Sequence, residues 1–180
     1  MSERGIFFRD ATKDDAEAIA ALHADSWRRH YRGAFLDSFL DGDVLSDRLT
    51  VWRERLAEPR KDCITVVATS QDSAIGFVHV VLNDHPTWGA LLDNIHVTFE
   101  RKGMGIGGAL MREAAQRLLQ RGGRNFYLWV LDQNVAAQHF YANHGGARVE
   151  TCMRGPFPGG GRAPGHRIAW PDARTLLSGS

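Results

Sequence analysis

A glycine-rich turn in the second half of the chain places the strongest constraint on the fold. In RKGMGIGGALM, which starts at Arg101, four of the six residues 103–108 are glycine. The segment ALLDNIHVT before it (residues 90–98) is predicted to be a strand, and residues 105–121 show helical spacing. Free backbone N–H groups and the helix dipole at such a turn favour a phosphate or pyrophosphate. The turn therefore predicts an α/β arrangement with an anion site.

The segments around this turn predict further helices and strands. Apolar residues recur at helical spacing from Lys13 to Trp27, with Gly33 as a break, and again over residues 46–58, where Pro59 ends the pattern. Runs rich in β-branched and aromatic residues predict strands. The predicted strands cover residues 6–9, 64–70, 74–82, 90–98, 125–131, 147–153 and 166–170, and a short helix covers residues 134–143.

The order of these segments predicts an α/β or α+β fold in a single domain spanning residues 1–180. A chain of 180 residues is long enough to bury one substantial core. Because no repeat, linker or change of composition divides the sequence, we expect no second domain.

Composition excludes several classes of function. The chain has 22 Lys and Arg against 21 Asp and Glu, a formal charge of +1, which removes the electrostatic case for a nucleic-acid partner. No apolar run approaches a membrane span, and the start, MSERGIFFRD, lacks a signal-peptide pattern. With only Cys63 and Cys152, we expect a cytoplasmic, reduced protein with no membrane partner. The histidines show no metal-ligand spacing, so no metal is predicted.

The glycine-rich turn fits three nucleotide-binding patterns to different degrees. A P-loop needs Lys and then Ser or Thr after its last glycine, and Ala109 follows Gly108 instead. Gly103, Gly105 and Gly108 match the G-x-G-x-x-G of a Rossmann-type NAD(P)-dependent oxidoreductase, with Asp132 ending the next strand. That fold adds several further strands, and fewer than 50 residues follow Asp132. The oxidoreductase is kept as the less favoured alternative.

The third pattern explains more of the chain. Lys102, Gly105 and Gly107 match the phosphate-loop motif [Q/R]-x-x-G-x-[G/A], and the segment NVAAQHFYANHGG supplies a second motif of Asn, Ala, Phe-Tyr and Gly. With both motifs, residues 91–147 resemble the acetyl-coenzyme A (acetyl-CoA) binding core of the GCN5-related N-acetyltransferase (GNAT) superfamily. The second motif is matched by Asn134, Ala137, Phe140, Tyr141 and Gly145.

The resemblance implies a mixed, mainly antiparallel central sheet with helices on both faces. It also implies transfer of acetyl from acetyl-CoA to a primary amine of a small-molecule or peptide acceptor, directly in a ternary complex, and it leaves a homodimer open. A non-catalytic CoA-binding regulatory module is the alternative from another class. The implied cofactor-binding residues are Ile95, His96, Val97, Lys102, Gly103, Met104, Gly105, Ile106, Gly107, Gly108, Asn134 and Ala137. Lys102 departs from the family's Arg or Gln, and Arg101 is placed to share its role.

Three residues are candidates for the chemistry of acetyl transfer. Tyr141 matches the family tyrosine near the coenzyme sulfur and is the predicted general acid. Asp93, which interrupts an apolar strand, and His96 are the candidate bases, and a bulge implied by the resemblance prevents strand parity from choosing between them. The resemblance implies that the segment SWRRHYRGAF (residues 26–35) lines the acceptor pocket, with a place in the core as the alternative for its aromatic residues. The loop of residues 154–167, with four basic side chains, is interpreted first as a solvated, flexible loop, and the alternative is that it gates the acceptor or recognises its carboxylate.

Overall fold

One seven-stranded sheet runs through the computed structural model, which describes residues 5–178. Residues 1–4, part of the N-terminal segment considered for a signal peptide, and residues 179–180 lie outside the described residues. The strand order is β1-β2-β3-β4-β5-β7-β6. The strands are β1 (Phe7–Asp10), β2 (Cys63–Ser70), β3 (Ser73–His85), β4 (Gly89–Val97), β5 (Phe126–Leu131), β6 (Ala147–Arg154) and β7 (Ala163–Trp170). The helices are α1 (Ala16–His30), α2 (Asp37–Asp41), α3 (Val44–Leu56), α4 (Ile106–Gln120) and α5 (Val135–Asn143).

Helices cover both faces of this sheet because the strands bury apolar residues on both sides. On β3, Val78 and Val80 belong to a core that includes Leu110 of α4 and Tyr141 of α5. Phe77, which directly precedes Val78 and so points to the opposite face, packs with Trp52 of α3. The sheet thus separates α4 and α5 from α1 and α3.

The pairing of β4 with β5 creates the main opening in the fold. All other neighbouring strands pair antiparallel, whereas β4 and β5 are parallel and pair only at Ala90 with Phe126 and at Leu91 with Tyr127. Beyond these two pairs the strands no longer bond to each other. The backbone of β4 from residue 92 onward therefore has a free edge on the β5 side.

This architecture confirms the predicted fold class, a mixed and mainly antiparallel sheet with helices on both faces. The order also differs from the parallel 3-2-1-4-5-6 sheet that the dinucleotide-binding alternative requires. None of the helices within residues 5–178 combines the length and apolar composition of a membrane span.

The structure adds elements that the sequence patterns did not predict. The five-residue helix α2 and a 3-10 turn at Ala173–Leu176 are too short to show periodicity. Strand β7 begins at Ala163, inside the predicted loop, because residues 163–165 pair with residues 152–154 of β6. That pairing depends on a long-range contact which local composition does not reveal.

Candidate active site

A cavity of about 590 Å³ lies where β4 and β5 diverge. One wall is β4 residues 92–97, and the other is β5 residues 128–130 with the inner side of α5. The end of α1 and the glycine-rich turn close the two remaining sides. The fold therefore joins the turn and the candidate chemical groups in one continuous space.

The glycine-rich turn has the geometry of an anion site. Gly103 and Gly105 have φ of 78° and 77°, and a Cβ on either would meet no atom within 4 Å. Within residues 5–178 no acceptor bonds to the backbone N–H groups of residues 103–108, and the first bond of α4 runs from the Ala109 N–H to the Gly105 carbonyl at 3.0 Å. These open N–H groups at the positive end of α4 fit a pyrophosphate.

Lys102, the departure from the family motif, is held by α1. Its Nζ donates to His30 Nε2 at 2.7 Å, and the pKa of His30 is lowered by burial and by the Lys102 charge, so the ring is neutral and can accept this bond. The pKa of Lys102 is itself lowered, first by desolvation and then by Arg29. Arg101 also lines the cavity. The turn therefore has two cationic side chains beside its free N–H groups.

The middle of β4 supplies a mixed wall. Ile95 and Val97 pack towards the core beneath α4, while His96 lies on the other face, 4.8 Å from the ring of His23 and 5.3 Å from that of Phe77. Burial, together with the nearby His30 and Lys102, lowers the pKa of His96 from 6.5 to about 3. At neutral pH the ring is therefore uncharged and a weak base.

Asp93 is the extra residue of a β-bulge. Asn94 pairs with His79 and Leu92 with Val80, so Asp93 has no partner on β3. Because of the bulge, the side chains of Asp93 and Asn94 both contact Arg55 of α3. Arg55 lies 2.9 Å from Asp93 Oδ2 and donates a hydrogen bond to Asn94 Oδ1 at 3.3 Å. Asp93 faces the cavity as a carboxylate whose orientation Arg55 fixes.

Two tyrosines line this part of the cavity, Tyr31 close to Asp93 and Tyr141 close to Tyr31. Tyr141 is 9% exposed, and burial, followed by the effect of Tyr31, raises its pKa. Burial and the charge of Asp93 raise the pKa of Tyr31 to about 12. Both phenols are therefore protonated at neutral pH and can donate a hydrogen bond.

Most of the sequence-predicted site residues meet in this cavity. Asn134 also caps α5, its Oδ1 accepting from the Ala137 N–H at 3.3 Å. Met104 is 56% exposed and lies outside the lining. The predicted residues that line the cavity are Asp93, Ile95, His96, Val97, Lys102, Gly103, Gly105, Ile106, Gly107, Gly108, Asn134, Ala137 and Tyr141.

Three further residues belong to this site without having been predicted from the sequence: Arg55, Trp129 and His144. Arg55 lies 38 residues before Asp93 in the chain, and no local pattern connects them. For His144 a signal existed: a Cβ on Gly108 would lie 2.7 Å from His144 Nε2, so this glycine permits α4 to approach the end of α5. A glycine inside a helix is costly and often marks such a close contact.

Comparison with known families now decides the class. The model of the Acetyltransferase (GNAT) family matches residues 17–145, most of the chain and all of the cavity walls described above. The chain belongs to the GNAT family. It is an acetyl-CoA-dependent N-acetyltransferase, which confirms the predicted enzyme class. The alternative of a Rossmann-type oxidoreductase is wrong, because both the family and the sheet order contradict it.

Individual GNAT relatives agree over nearly the whole chain. An uncharacterised N-acetyltransferase from Bacillus subtilis, YuaI, is 27% identical over 174 residues, which cover 95% of this chain and 96% of the relative. The PaiA N-acetyltransferase of Thermoplasma acidophilum, solved in complex with coenzyme A, superposes with a TM-score of 0.73 at 18% identity and covers 92% and 98% of the two chains. A GNAT acetyltransferase of Streptococcus pneumoniae gives 0.66 at 23% identity, covering 92% and 98%.

No metal centre accompanies this GNAT site in the part of the chain that the structure describes. Among residues 5–178 no group of three or more His, Cys, Asp or Glu side chains is placed to hold an ion.

Proposed function

We propose that this protein transfers acetyl from acetyl-CoA directly to a primary amine in a ternary complex. The observation that carries the proposal is the single cavity that runs from the open N–H groups of residues 103–108 to Asp93 and Tyr141. Bound acetyl-CoA supplies an activated acetyl thioester. A cavity open to both substrates permits transfer without an acetylated side chain.

The turn and β4 bind and orient the coenzyme in this proposal. Residues 103–108 hold the pyrophosphate through their N–H groups, with Lys102 and Arg101 adding charge. The free edge of β4 at Ile95, His96 and Val97 offers backbone groups to the pantetheine arm, and one of its N–H groups polarises the acetyl carbonyl.

Tyr141 is the proposed general acid and Asp93 the proposed acceptor-side carboxylate. The raised pKa of Tyr141 keeps its hydroxyl protonated at neutral pH, so in this proposal it donates a hydrogen bond to the sulfur and is the proton source as the C–S bond breaks. Asp93 attracts the acceptor ammonium and receives its proton, directly or through water. His96 is the weaker choice, because its pKa of about 3 leaves it little affinity for a proton.

Calorimetry with acetyl-CoA and with NAD tests the binding step. We expect saturable acetyl-CoA binding in the micromolar range and none with NAD. Initial rates with both substrates varied should give intersecting lines, and parallel lines would indicate an acetylated enzyme and refute direct transfer.

Conservative variants test the roles of Tyr141 and Asp93. Tyr141→Phe should lower kcat about 100-fold with little change in stability or acetyl-CoA affinity. Tyr31→Phe, which removes the other cavity phenol, should lower kcat much less. Asp93→Asn should lower turnover without weakening acetyl-CoA binding. Full activity in Tyr141→Phe, or a loss that follows unfolding, would contradict the assignment.

Three wider expectations remain predictions: a single domain, a cytoplasmic location and the homodimer left open by the resemblance. The sheet that continues from β1 to β6 supports the single domain.

A further inference from the structure

An arginine cluster that the proposed chemistry does not use packs against Trp129, a residue of the cavity wall. Trp129 and Asp93 each lie two residues beyond the last β4–β5 pair, Leu91 with Tyr127, so both lie where the two strands begin to diverge. Both line the cavity. The guanidinium carbon of Arg154 lies 4.1 Å from the Trp129 ring centroid.

Arg154 reaches Trp129 across a strand because the intervening residue is glycine. Arg154 is on β6 and Trp129 on β5, with β7 between them. A Cβ on Gly165 of β7 would lie 2.7 Å from Arg154 Cγ, so any side chain there would displace the arginine stem. The arginine is thus held over the indole of Trp129, which lines the cavity, while Arg154 itself lies just outside that lining.

The hydrogen-bonding groups of this pair have no partner in the described chain. Within residues 5–178, Arg154 forms neither an ion pair nor a side-chain hydrogen bond, and the Trp129 indole N–H has no acceptor. The neighbouring acidic groups are engaged elsewhere. Glu150 lies 3.1 Å from Arg167 Nε, and Asp84 accepts the hydroxyl of Tyr127.

Arg167 adds a second positive charge beside Trp129, which also favours an anionic ligand there. Its guanidinium carbon is 4.7 Å from the Trp129 ring, and its Nε is buried without a hydrogen bond, because the contact with Glu150 is close in distance but poorly aligned. Two arginines therefore pack against one indole, and Arg167 has a carboxylate beside it, that of Glu150. Among the described residues the guanidinium of Arg154 has none, and its parallel N–H groups suit a planar anionic group such as a carboxylate.

We infer that the acceptor amine carries a carboxylate, which Arg154 binds while the amine faces Asp93. The acceptor class is an amino acid or a similar amino-carboxylate, and Arg154 is a specificity-determining residue. This inference rests on the proposed acetyl transfer to an amine. The two charged ends of such an acceptor match the cation at Arg154 and the carboxylate at Asp93, on opposite sides of the opening.

The test is a panel of matched acceptors assayed by thiol release from acetyl-CoA. It contains amino acids, their carboxamides and the corresponding amines without a carboxyl group. The wild-type enzyme should show a KM at least tenfold lower for the acids than for the amides. Arg154→Gln should raise the KM for acids about 30-fold with little change in kcat and no change for the amides, and Arg154→Lys should recover part of the loss.

Arg162→Gln is the matched control, because it removes the same charge from the exposed part of the same β6–β7 hairpin. It should leave the KM for acids unchanged. Thermal unfolding and acetyl-CoA affinity of each variant establish that the fold and the coenzyme site are intact.

The outcomes separate this inference from the proposed function. Thiol release with uncharged amines or amides as efficient as with acids would leave acetyl transfer standing and overturn the carboxylate assignment. The carboxylate assignment is also overturned if Arg154→Gln has the same KM for acids as Arg162→Gln. It is likewise overturned if an enzyme that binds acetyl-CoA acetylates amines of the panel but none of the acids. Failure to bind acetyl-CoA would refute the proposed function, and this inference with it.

Discussion

Acid should destabilise this protein because its fold buries uncharged histidines. His79 is 3% exposed, its Nδ1 lies 2.8 Å from Thr65 Oγ1, and its ring packs edge-on against Trp52. Burial, with the charges of Arg55 and Arg60, lowers its pKa from 6.5 to about 3. The folded ring therefore resists protonation at a pH where the unfolded chain accepts it.

The sign and size of the effect follow from proton linkage. A histidine whose folded pKa is lowered stabilises the protein above pH 6.5, and this contribution is lost as the pH falls from 6.5 towards 3. Each pH unit within that window corresponds to about 1.4 kcal/mol per histidine. Between pH 7 and pH 5, His79 alone should reduce the free energy of unfolding by about 2 kcal/mol. His23, fully buried with its pKa lowered by burial, adds a loss of the same sign.

Urea unfolding at pH 7 and pH 5, followed by tryptophan fluorescence, measures this loss. His79→Gln should lose about 2 kcal/mol less than wild type between the two pH values, and taking this difference cancels any constant cost of the substitution. His139→Gln, which removes an exposed imidazole from α5, should lose as much as wild type. Equal losses in wild type and His79→Gln would refute the buried neutral state of His79.

Three further perturbations test the site and its support. Gly105→Glu should weaken acetyl-CoA binding more than 100-fold in calorimetry, whereas Gly122→Glu, at an equally strained φ of 80° beyond the far end of α4, should leave the affinity unchanged. Arg55→Gln should lower kcat about tenfold at unchanged acetyl-CoA affinity, because the Asp93 carboxylate loses the ion pair that orients it. Asp15→Asn should cost about 2 kcal/mol of unfolding free energy at pH 7. The hydrogen bonds from Arg9 lower the Asp15 pKa below 3.8, so this cost should fade as the pH drops below 3.8.

The glycine-rich turn and the helix after it were predictable because their structure is set locally. Glycine at positions 103 and 105 adopts the left-handed backbone that the turn needs, and the apolar spacing of α4 determines which face it buries. Asn134 begins α5 for an equally local reason, since its own side chain caps the helix.

The acceptor side was not predictable because it depends on contacts between distant segments. Whether Asp93 faces α3 depends on one unpaired residue in β4, and strand alternation alone gives no answer there. Its partner Arg55 comes from a helix whose pattern shows only which side is apolar. The stack of Arg154 on Trp129 requires β7 to lie between their strands, which is a property of the sheet order.

Under the proposed function, the divergence of β4 and β5 lets one opening receive both the coenzyme and the acceptor. Cations and N–H groups lie at the proposed coenzyme end, at Lys102 and the glycine-rich turn, and Arg154, which has no ion pair within residues 5–178, lies against Trp129 at the proposed acceptor end. Between these two ends, the lining includes apolar residues of β4 and Tyr141, whose hydroxyl is protonated. In this proposal the thioester and the uncharged amine meet in this middle section, while the turn binds the pyrophosphate and Arg154 binds the acceptor carboxylate. The same charge distribution opposes a polycationic acceptor, because its second ammonium group would lie against Arg154.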